Sequence, residues 1–110
     1  MNQTADCMRL LGTVRHKQGH LGPAEEILAD GERLFTDIDD RLGLANCALE
    51  FGYLRIDQGR PELAIAHFKS AYRLYREFEM YLYLYLYAEE CRESIEKLEV
   101  TVVPADDDSK

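Results

Sequence analysis

Cysteine is scarce in this chain of 110 residues, and no two cysteines lie close together in the sequence. The three cysteines, Cys7, Cys47 and Cys91, form no CxxC pair and have no neighbouring cluster of histidines. A disulfide framework or a zinc site needs such pairs or clusters. We therefore expect no bound metal, and we expect small buried thiols in a reducing compartment.

Long hydrophobic runs are also missing. No apolar segment approaches the length of about 20 residues that a membrane-spanning helix needs. The N-terminal residues, MNQTADCMRL, contain neither the basic start nor the apolar run of a secretion signal. These absences predict a cytoplasmic protein that does not enter a membrane.

Positive charge is outweighed by negative charge. The 13 Lys and Arg residues against 21 Asp and Glu residues give a net charge of −8. Nucleic acids and anionic membrane surfaces attract basic proteins, so neither is expected to be a partner. The chain is long enough for one domain, and its 46% of hydrophobic residues is typical of a folded globular protein.

The most informative feature that is present is an internal repeat with an offset of 40 residues. The segment ADCMRLLGTVRHKQGHLGPA, residues 5–24, aligns without a gap on ANCALEFGYLRIDQGRPELA, residues 45–64. The identical pairs are Ala5/Ala45, Cys7/Cys47, Gly12/Gly52, Arg15/Arg55, Gln18/Gln58, Gly19/Gly59 and Ala24/Ala64. Self-similarity at a fixed period indicates a repeat architecture.

Each unit predicts two helices joined by a turn. In the second unit, apolar residues recur at helical spacing up to Gln58-Gly59, where glycine commonly ends a helix. Pro61 and Glu62 then suit the first turn of a new helix. The first unit predicts a helix to about Gln18, a turn at GHLG and a helix that opens at Pro23. The fold class predicted is therefore all-α.

The second unit, with FGYLRIDQGRPELAIAHFKSA at its centre, resembles a tetratricopeptide repeat. The matching positions are Phe51, Gly52, Gly59, Ala64, Phe68 and Ala71, and in the first unit Leu11, Gly12, Gly19, Ala24 and Leu28, with Gly31 in place of the last alanine. The offset of 40 exceeds the usual period of about 34 and resembles a variety with longer helices. The small residues Gly12, Gly52, Ala24 and Ala64 let paired helices approach closely.

The resemblance covers roughly residues 4–99 and implies a right-handed helical repeat of about two and a half units, or five helices. Repeat 1 is expected at about residues 4–36, repeat 2 at about 40–76 and a half repeat at about 79–99, within a domain of residues 1–99. Residues 100–110 are expected to be an acidic disordered tail.

The segment FEMYLYLYLYAEE, residues 78–90, alternates tyrosine with leucine, which is typical of a β-strand when taken alone. The same offset, however, places Leu84 over Leu44 and Ala88 over Ala48, so the segment is predicted to be the first helix of a third unit. Helical spacing continues through Leu84, Ala88, Cys91, Ile95 and Leu98. A strand would have no other strand to pair with.

No second helix is expected after this one, because EVTVVPADDDSK contains β-branched residues, a proline and three successive aspartates. Part of the apolar surface of the third unit is then uncovered, at Leu82, Tyr83, Leu86 and Tyr87. Three interpretations remain open: this surface mediates self-association, it binds a different protein, or the chain belongs to a longer stack of repeats.

Members of the tetratricopeptide family bind peptides or helices in a concave groove lined by their first helices. The resemblance implies that this groove includes Arg9, Thr13, His16, Lys17, Leu49, Tyr53, Asp57 and Glu89. It runs from basic to acidic, although any single charge among these is equally well explained as a solvated helix face. The clamp that grips the C-terminal carboxylate of chaperones is not expected, since Glu50 and Glu90 would repel that ligand.

No nucleophile motif, phosphate-binding loop or metal-ligand spacing is found in the sequence, so neither an enzyme nor a cofactor is expected. We expect a non-catalytic module that binds a protein or peptide and forms a homo-oligomer, as a dimer, through the third unit. The alternative is a regulatory domain that senses a ligand or peptide, similar to those of larger bacterial regulators.

Overall fold

The computed structural model describes residues 3–78 and 82–102, without the side chains of residues 3, 82–84 and 102. Five helices and no strand occur in these ranges. The helices are α1 (Gln3–Lys17), α2 (Leu21–Asp37), α3 (Arg41–Asp57), α4 (Pro61–Arg76) and α5 (Leu82–Val102). The predicted all-α fold is confirmed, and the tyrosine-leucine segment is helical from residue 82 onward.

Each helix packs against the next one along the chain. Helices α1 and α2 form one hairpin and α3 and α4 form another, while α2 contacts α3 and α4 contacts α5. Helices α1 and α3 also touch. Contacts of this kind, between sequential neighbours, are those of a helical repeat, and five helices correspond to two hairpins and a half.

The two hairpin turns have the same backbone geometry. Gly19 and Gly59 both have positive φ, at 85° and 75°. In the first turn the amide of His20 donates to the carbonyl oxygen of Arg15 at 2.9 Å, and in the second the amide of Arg60 donates to that of Arg55 at 2.8 Å. This bonding closes a helix that ends on a left-handed glycine, which explains why glycine recurs at the offset of 40.

The arginine and glutamine of these turns also recur for a structural reason. Arg15 donates to the side chain of Gln18 at 3.0 Å, and Arg55 donates to that of Gln58 at 2.9 Å. In the second turn the network extends to α2, because Gln58 donates to Glu25 at 3.0 Å and Arg55 lies 3.1 Å from the same carboxylate. These contacts hold the second turn against the first hairpin.

Close packing within each hairpin depends on glycine in the first helix. A Cβ atom added at Gly12 would lie 2.7 Å from Cγ of Leu28, and one added at Gly52 would lie 2.5 Å from Cε1 of Phe68. Both large side chains are fully buried. Since Leu28 and Phe68 are also 40 residues apart, the same pair of contacts is built twice.

The largest cluster of buried side chains joins α3, α4 and α5. Its large members are Phe68 and Tyr75 from α4, and Ala88 and Cys91 of α5 close it from the other side. Ile95 and Leu98 pack against the cluster and are partly buried. Ala88 and Cys91, which belong to the helical spacing predicted for the third unit, are therefore buried as one side of α5, while the side chain of Leu84 lies outside the described residues.

Two helix boundaries differ from the predictions. Helix α2 begins at Leu21, before the predicted opening at Pro23, because Leu21 rather than Pro23 occupies the position of Pro61. Helix α5 continues to Val102, so the first residues of the predicted disordered tail are helical. Leu98 and Glu99 stand where the second unit has Gln58 and Gly59, and α5 therefore lacks the glycine that ends α3.

The prediction that all three cysteines are buried is wrong for Cys7. Cys47 and Cys91 are fully buried, and burial raises the pKa of each thiol to about 12. Cys7 is exposed, although it occupies the position of Cys47 in the repeat. The difference arises because α1 is the first helix described and no earlier helix covers this side of it.

Candidate functional site

The first helices of the units, α1, α3 and α5, present side chains that contact one another; we call this surface the first-helix face. Nε2 of His16 on α1 lies 2.5 Å from Oδ2 of Asp57 on α3. Both residues are predicted groove residues, and the structure brings them together. The imidazole is mostly buried, whereas the Asp57 side chain is largely exposed.

A second contact on this face joins α3 to α5. The hydroxyl of Tyr53 donates a hydrogen bond to the carboxylate of Glu90, and the Tyr53 ring meets the Phe68 ring edge-on at 5.2 Å. Burial, together with the bond to Glu90, raises the pKa of the Tyr53 phenol. Tyr53 therefore remains protonated and serves as a fixed donor between two helices.

A cavity of about 280 Å³ opens between these helices at the other end of α3. Its lining comprises Arg9, Leu42, Asn46, Leu49, Glu50, Tyr75 and Tyr87. The Tyr75 hydroxyl donates to Oδ1 of Asn46 at 2.5 Å, and the Tyr75 and Tyr87 rings stack with centroids 5.5 Å apart. Two predicted groove residues, Arg9 and Leu49, thus lie in one concave site.

Arg9 is the most unusual side chain in this cavity. Its Nε atom is buried and has no hydrogen-bond partner among the described residues. Thr13 is not among the lining residues, and its hydroxyl donates to the carbonyl oxygen of Arg9 within α1 at 3.1 Å. A buried guanidinium nitrogen without an acceptor is costly.

The remaining predicted groove residues are not gathered into this cavity. Lys17 is exposed at the end of α1 and forms no ion pair with a described residue. Glu89 accepts from Nε of Arg92 on its own helix at 2.9 Å. The structure therefore divides the predicted groove into the cavity, two contacts between helices and isolated surface charges.

The outer surface of α5 exposes apolar side chains near its beginning. Leu86 is 58% exposed, and Tyr85 beside it is also exposed. Tyr87 is 42% exposed, but its ring stacks on Tyr75 and lines the cavity rather than the outer surface. The side chains of Leu82 and Tyr83, also predicted for self-association, lie outside the described residues.

A second exposed apolar surface, on α1, was missed by the sequence reasoning; we call it the outer face of α1. It consists of Cys7, Leu10, Leu11 and Val14, which are all exposed. Their spacing of three and four residues places them on one side of the helix. The signal was present in the repeat, because Cys7, Leu11 and Val14 occupy the positions of Cys47, Phe51 and Leu54.

A larger cavity, of about 490 Å³, lies between α2, α3 and α4. Its rim includes Arg41 and Glu77, which form a two-point ion pair with distances of 3.1 and 2.7 Å. Burial raises the pKa of Glu32 and lowers that of His67 in the same lining, so the pKa of each group is shifted in the direction of its neutral form.

Sites for metal-dependent chemistry are not found in the part of the chain that the structure describes. No group of three or more His, Cys, Asp or Glu side chains in it is arranged to hold a metal ion. Within residues 3–78 and 82–102, no helix combines the length and the hydrophobicity needed to cross a bilayer.

The geometry defines the class of protein as an all-α, helical repeat-like fold. Comparisons of the chain with models of protein families, with curated proteins and with solved structures found no match. The relationship to tetratricopeptide repeats therefore stays a prediction from the sequence.

Proposed function

We propose that this chain is a non-catalytic protein-protein interaction module of the tetratricopeptide type, and that it associates with itself through α5. It acts as a scaffold in the cytoplasm, without a cofactor, and its partners are proteins or peptides rather than nucleic acids or membranes. The single observation that carries the proposal is the exposure of Leu86, at 58%, on α5, the last helix that the structure describes.

The exposed position of Leu86 supports an interface for a physical reason. A terminal helix of a repeat protein normally turns a polar side to water, because an apolar one promotes association. Tyr85 adds an amphipathic ring next to Leu86, and aromatic residues are enriched in protein interfaces. Burying these side chains against another chain removes apolar surface from water.

The contacts that the polar side chains form between helices support a non-catalytic role. His16 contacts Asp57 and Tyr53 contacts Glu90, so each pair fastens one first helix to the next. Cys47 and Cys91 are buried thiols with raised pKa values, so neither is disposed to act as a nucleophile. These groups stabilise the stack.

Multi-angle light scattering of the purified chain tests the proposal. The wild-type chain is expected to exceed its monomer mass of 12.7 kDa as concentration rises, and Leu86→Glu is expected to stay monomeric. Leu63→Glu is the matched control, because Leu63 is also an exposed leucine, but on α4. Association that survives Leu86→Glu would overturn the assignment of α5 as the interface.

A regulatory domain is the second candidate, and the cavity that Arg9 lines between the first helices favours it. In this role a ligand carboxylate pairs with Arg9 and alters the packing of α1 against α3. Titration with N-acetyl-leucine, followed by the NMR signal of the Arg9 Nε–H group, tests it. Saturable shifts in the wild type, together with no binding by Arg9→Gln, would support this function; no shifts would remove it.

A further inference from the structure

Three of the four residues in the outer face of α1, Cys7, Leu11 and Val14, occupy positions that are buried in the second unit. Leu11 is 41% exposed and Val14 is 47% exposed, whereas their counterparts Phe51 and Leu54 are 3% and 0% exposed. The repeat thus specifies an interior surface in both units. In the first unit, nothing among the described residues covers it.

Helix α2 covers the corresponding surface of α3. Phe51 and Leu54 form one cluster with Ala24 and Leu28 of α2, and Cys47 packs with Phe35 of α2 and Ala5 of α1. The outer face of α1 therefore has the chemistry to accept a helix with apolar side chains at its contact surface. Leu10, which is 53% exposed, widens this surface beyond the positions that are buried in the second unit.

The charges of α1 and α5 indicate which helix of a second copy fits the outer face of α1. Helix α1 carries Arg9, Arg15 and Lys17 against one acidic residue, Asp6. Helix α5 carries five glutamates against Arg92 and Lys97. A pair of α5 helices, or a pair of α1 helices, would bring like charges together, whereas α1 beside α5 brings opposite charges together.

We propose that the outer face of α1 binds α5 of a second copy of this chain, so that self-association is head to tail. The proposal rests on the self-association through α5 proposed above and identifies the surface that α5 meets. An interface between two different surfaces leaves one free surface at each end of the assembly. Wild-type assemblies therefore grow beyond dimers or close into rings.

A parallel arrangement of the two helices matches their surfaces. Leu10 and Lys17 are seven residues apart on α1, and Leu86 and Glu93 are seven apart on α5. With Leu10 against Leu86 of the second copy, Lys17 lies beside Glu93 of that copy. Both charged residues are exposed and form no ion pair with a described residue of their own chain.

A complementation experiment with the full chain tests the proposal. One variant carries Leu10→Gln and Val14→Gln, which removes the α1 surface, and the other carries Leu86→Gln, which removes the α5 surface. Each variant alone should be a monomer by light scattering, and an equimolar mixture should form a 1:1 dimer. Leu63→Gln is the control, and circular dichroism of every variant checks that helicity is unchanged.

Each other outcome overturns the proposal in a distinct way. If the α1 variant still self-associates, α5 pairs with α5, so the proposed function stands and this inference is wrong. If the α5 variant self-associates, or if the mixture does not pair, the α1–α5 contact is wrong. A wild-type chain that stays monomeric overturns both proposals and assigns the outer face of α1 to a different protein.

Exchange of the two charges gives an independent measurement of the register. Lys17→Glu or Glu93→Lys alone should weaken association about two- to fivefold, as for an exposed ion pair. The double variant, with the charges exchanged, should return to the wild-type affinity. A double variant weaker than either single one would overturn the parallel register.

Discussion

Gly52 lies so close to Phe68 that a Cβ atom at this position would be 2.5 Å from the ring. The contact joins the two helices of the second hairpin, and Gly12 and Leu28 form its counterpart in the first. The absence of a side chain is thus what sets the distance between paired helices. The repeat of glycine at this position is a packing requirement rather than a need for conformational freedom.

Gly52→Ala should destabilise the chain by about 1–3 kcal/mol, because the methyl group forces the buried Phe68 ring to move. Alanine is a better helix former than glycine by about 1 kcal/mol. The expected loss is the net effect after this gain in helix propensity is included. Urea unfolding followed by circular dichroism measures the free energy of unfolding.

Gly22→Ala is the matched control for this substitution. Gly22 is also helical, and a Cβ atom there meets nothing within 4 Å. Its replacement should leave stability unchanged or raise it by up to about 1 kcal/mol. Equal effects of the two substitutions would show that the contact with Phe68 is not limiting.

His67 should make stability depend on pH near neutrality. The imidazole stacks on the Phe51 ring at 5.0 Å, and burial, followed by the charge of Arg55, lowers its pKa below the usual 6.5. As the pH falls, His67 therefore binds a proton at a higher pH in the unfolded chain than in the folded chain. Stability should be full above pH 6.5 and should fall as the pH drops from 6.5 toward the lowered folded pKa.

Comparison of the wild type with His67→Gln isolates this contribution from other titrating groups. The loss of unfolding free energy between pH 7.5 and pH 6 should be smaller in His67→Gln than in the wild type. Urea titrations at the two pH values provide the measurement. A larger loss in the variant would contradict the assignment of a lowered pKa to His67.

At concentrations where the chain is monomeric, Cys7 should be the fast-reacting thiol of the native chain. It is exposed, whereas burial raises the pKa of Cys47 and Cys91 to about 12 and suppresses their thiolates. A thiol-reactive chromophore at pH 8 should modify one cysteine quickly in native protein and all three in denaturant. A fast phase that persists in Cys7→Ser would contradict this account.

The contact between Tyr53 and Glu90 should stabilise the packing of α5 on α3. Tyr53→Phe removes the hydroxyl that donates to the carboxylate and should cost about 1–2 kcal/mol of unfolding free energy. Tyr85→Phe is the control, because Tyr85 is exposed and forms no hydrogen bond with a described residue. If both substitutions change the free energy of unfolding equally, the Tyr53 hydroxyl does not contribute specifically to stability.

The offset of 40 residues predicted most of the fold because several of its identities mark a structural requirement. Gly59 predicted the turn through its left-handed backbone, and Pro61 predicted the first residue of α4. The same offset held information that was not used. It places Leu98 and Glu99 over Gln58 and Gly59, which predicts that α5 continues beyond the position where α3 ends.

The candidate site was less predictable, because it depends on contacts between side chains of different units. No local pattern pairs His16 with Asp57, which are far apart in the sequence. The exposure of Leu11 depends on the lack of a covering helix among the described residues rather than on any property of Leu11. The exposure of Leu11 can be interpreted because Phe51, its counterpart in the second unit, is covered by α2.

The molar mass of the wild-type chain as a function of concentration tests the central claim most directly. Light scattering should give a mass that rises from 12.7 kDa to that of a dimer and beyond, while Leu86→Glu remains at 12.7 kDa throughout. A wild-type mass that stays at 12.7 kDa at every concentration would contradict the account.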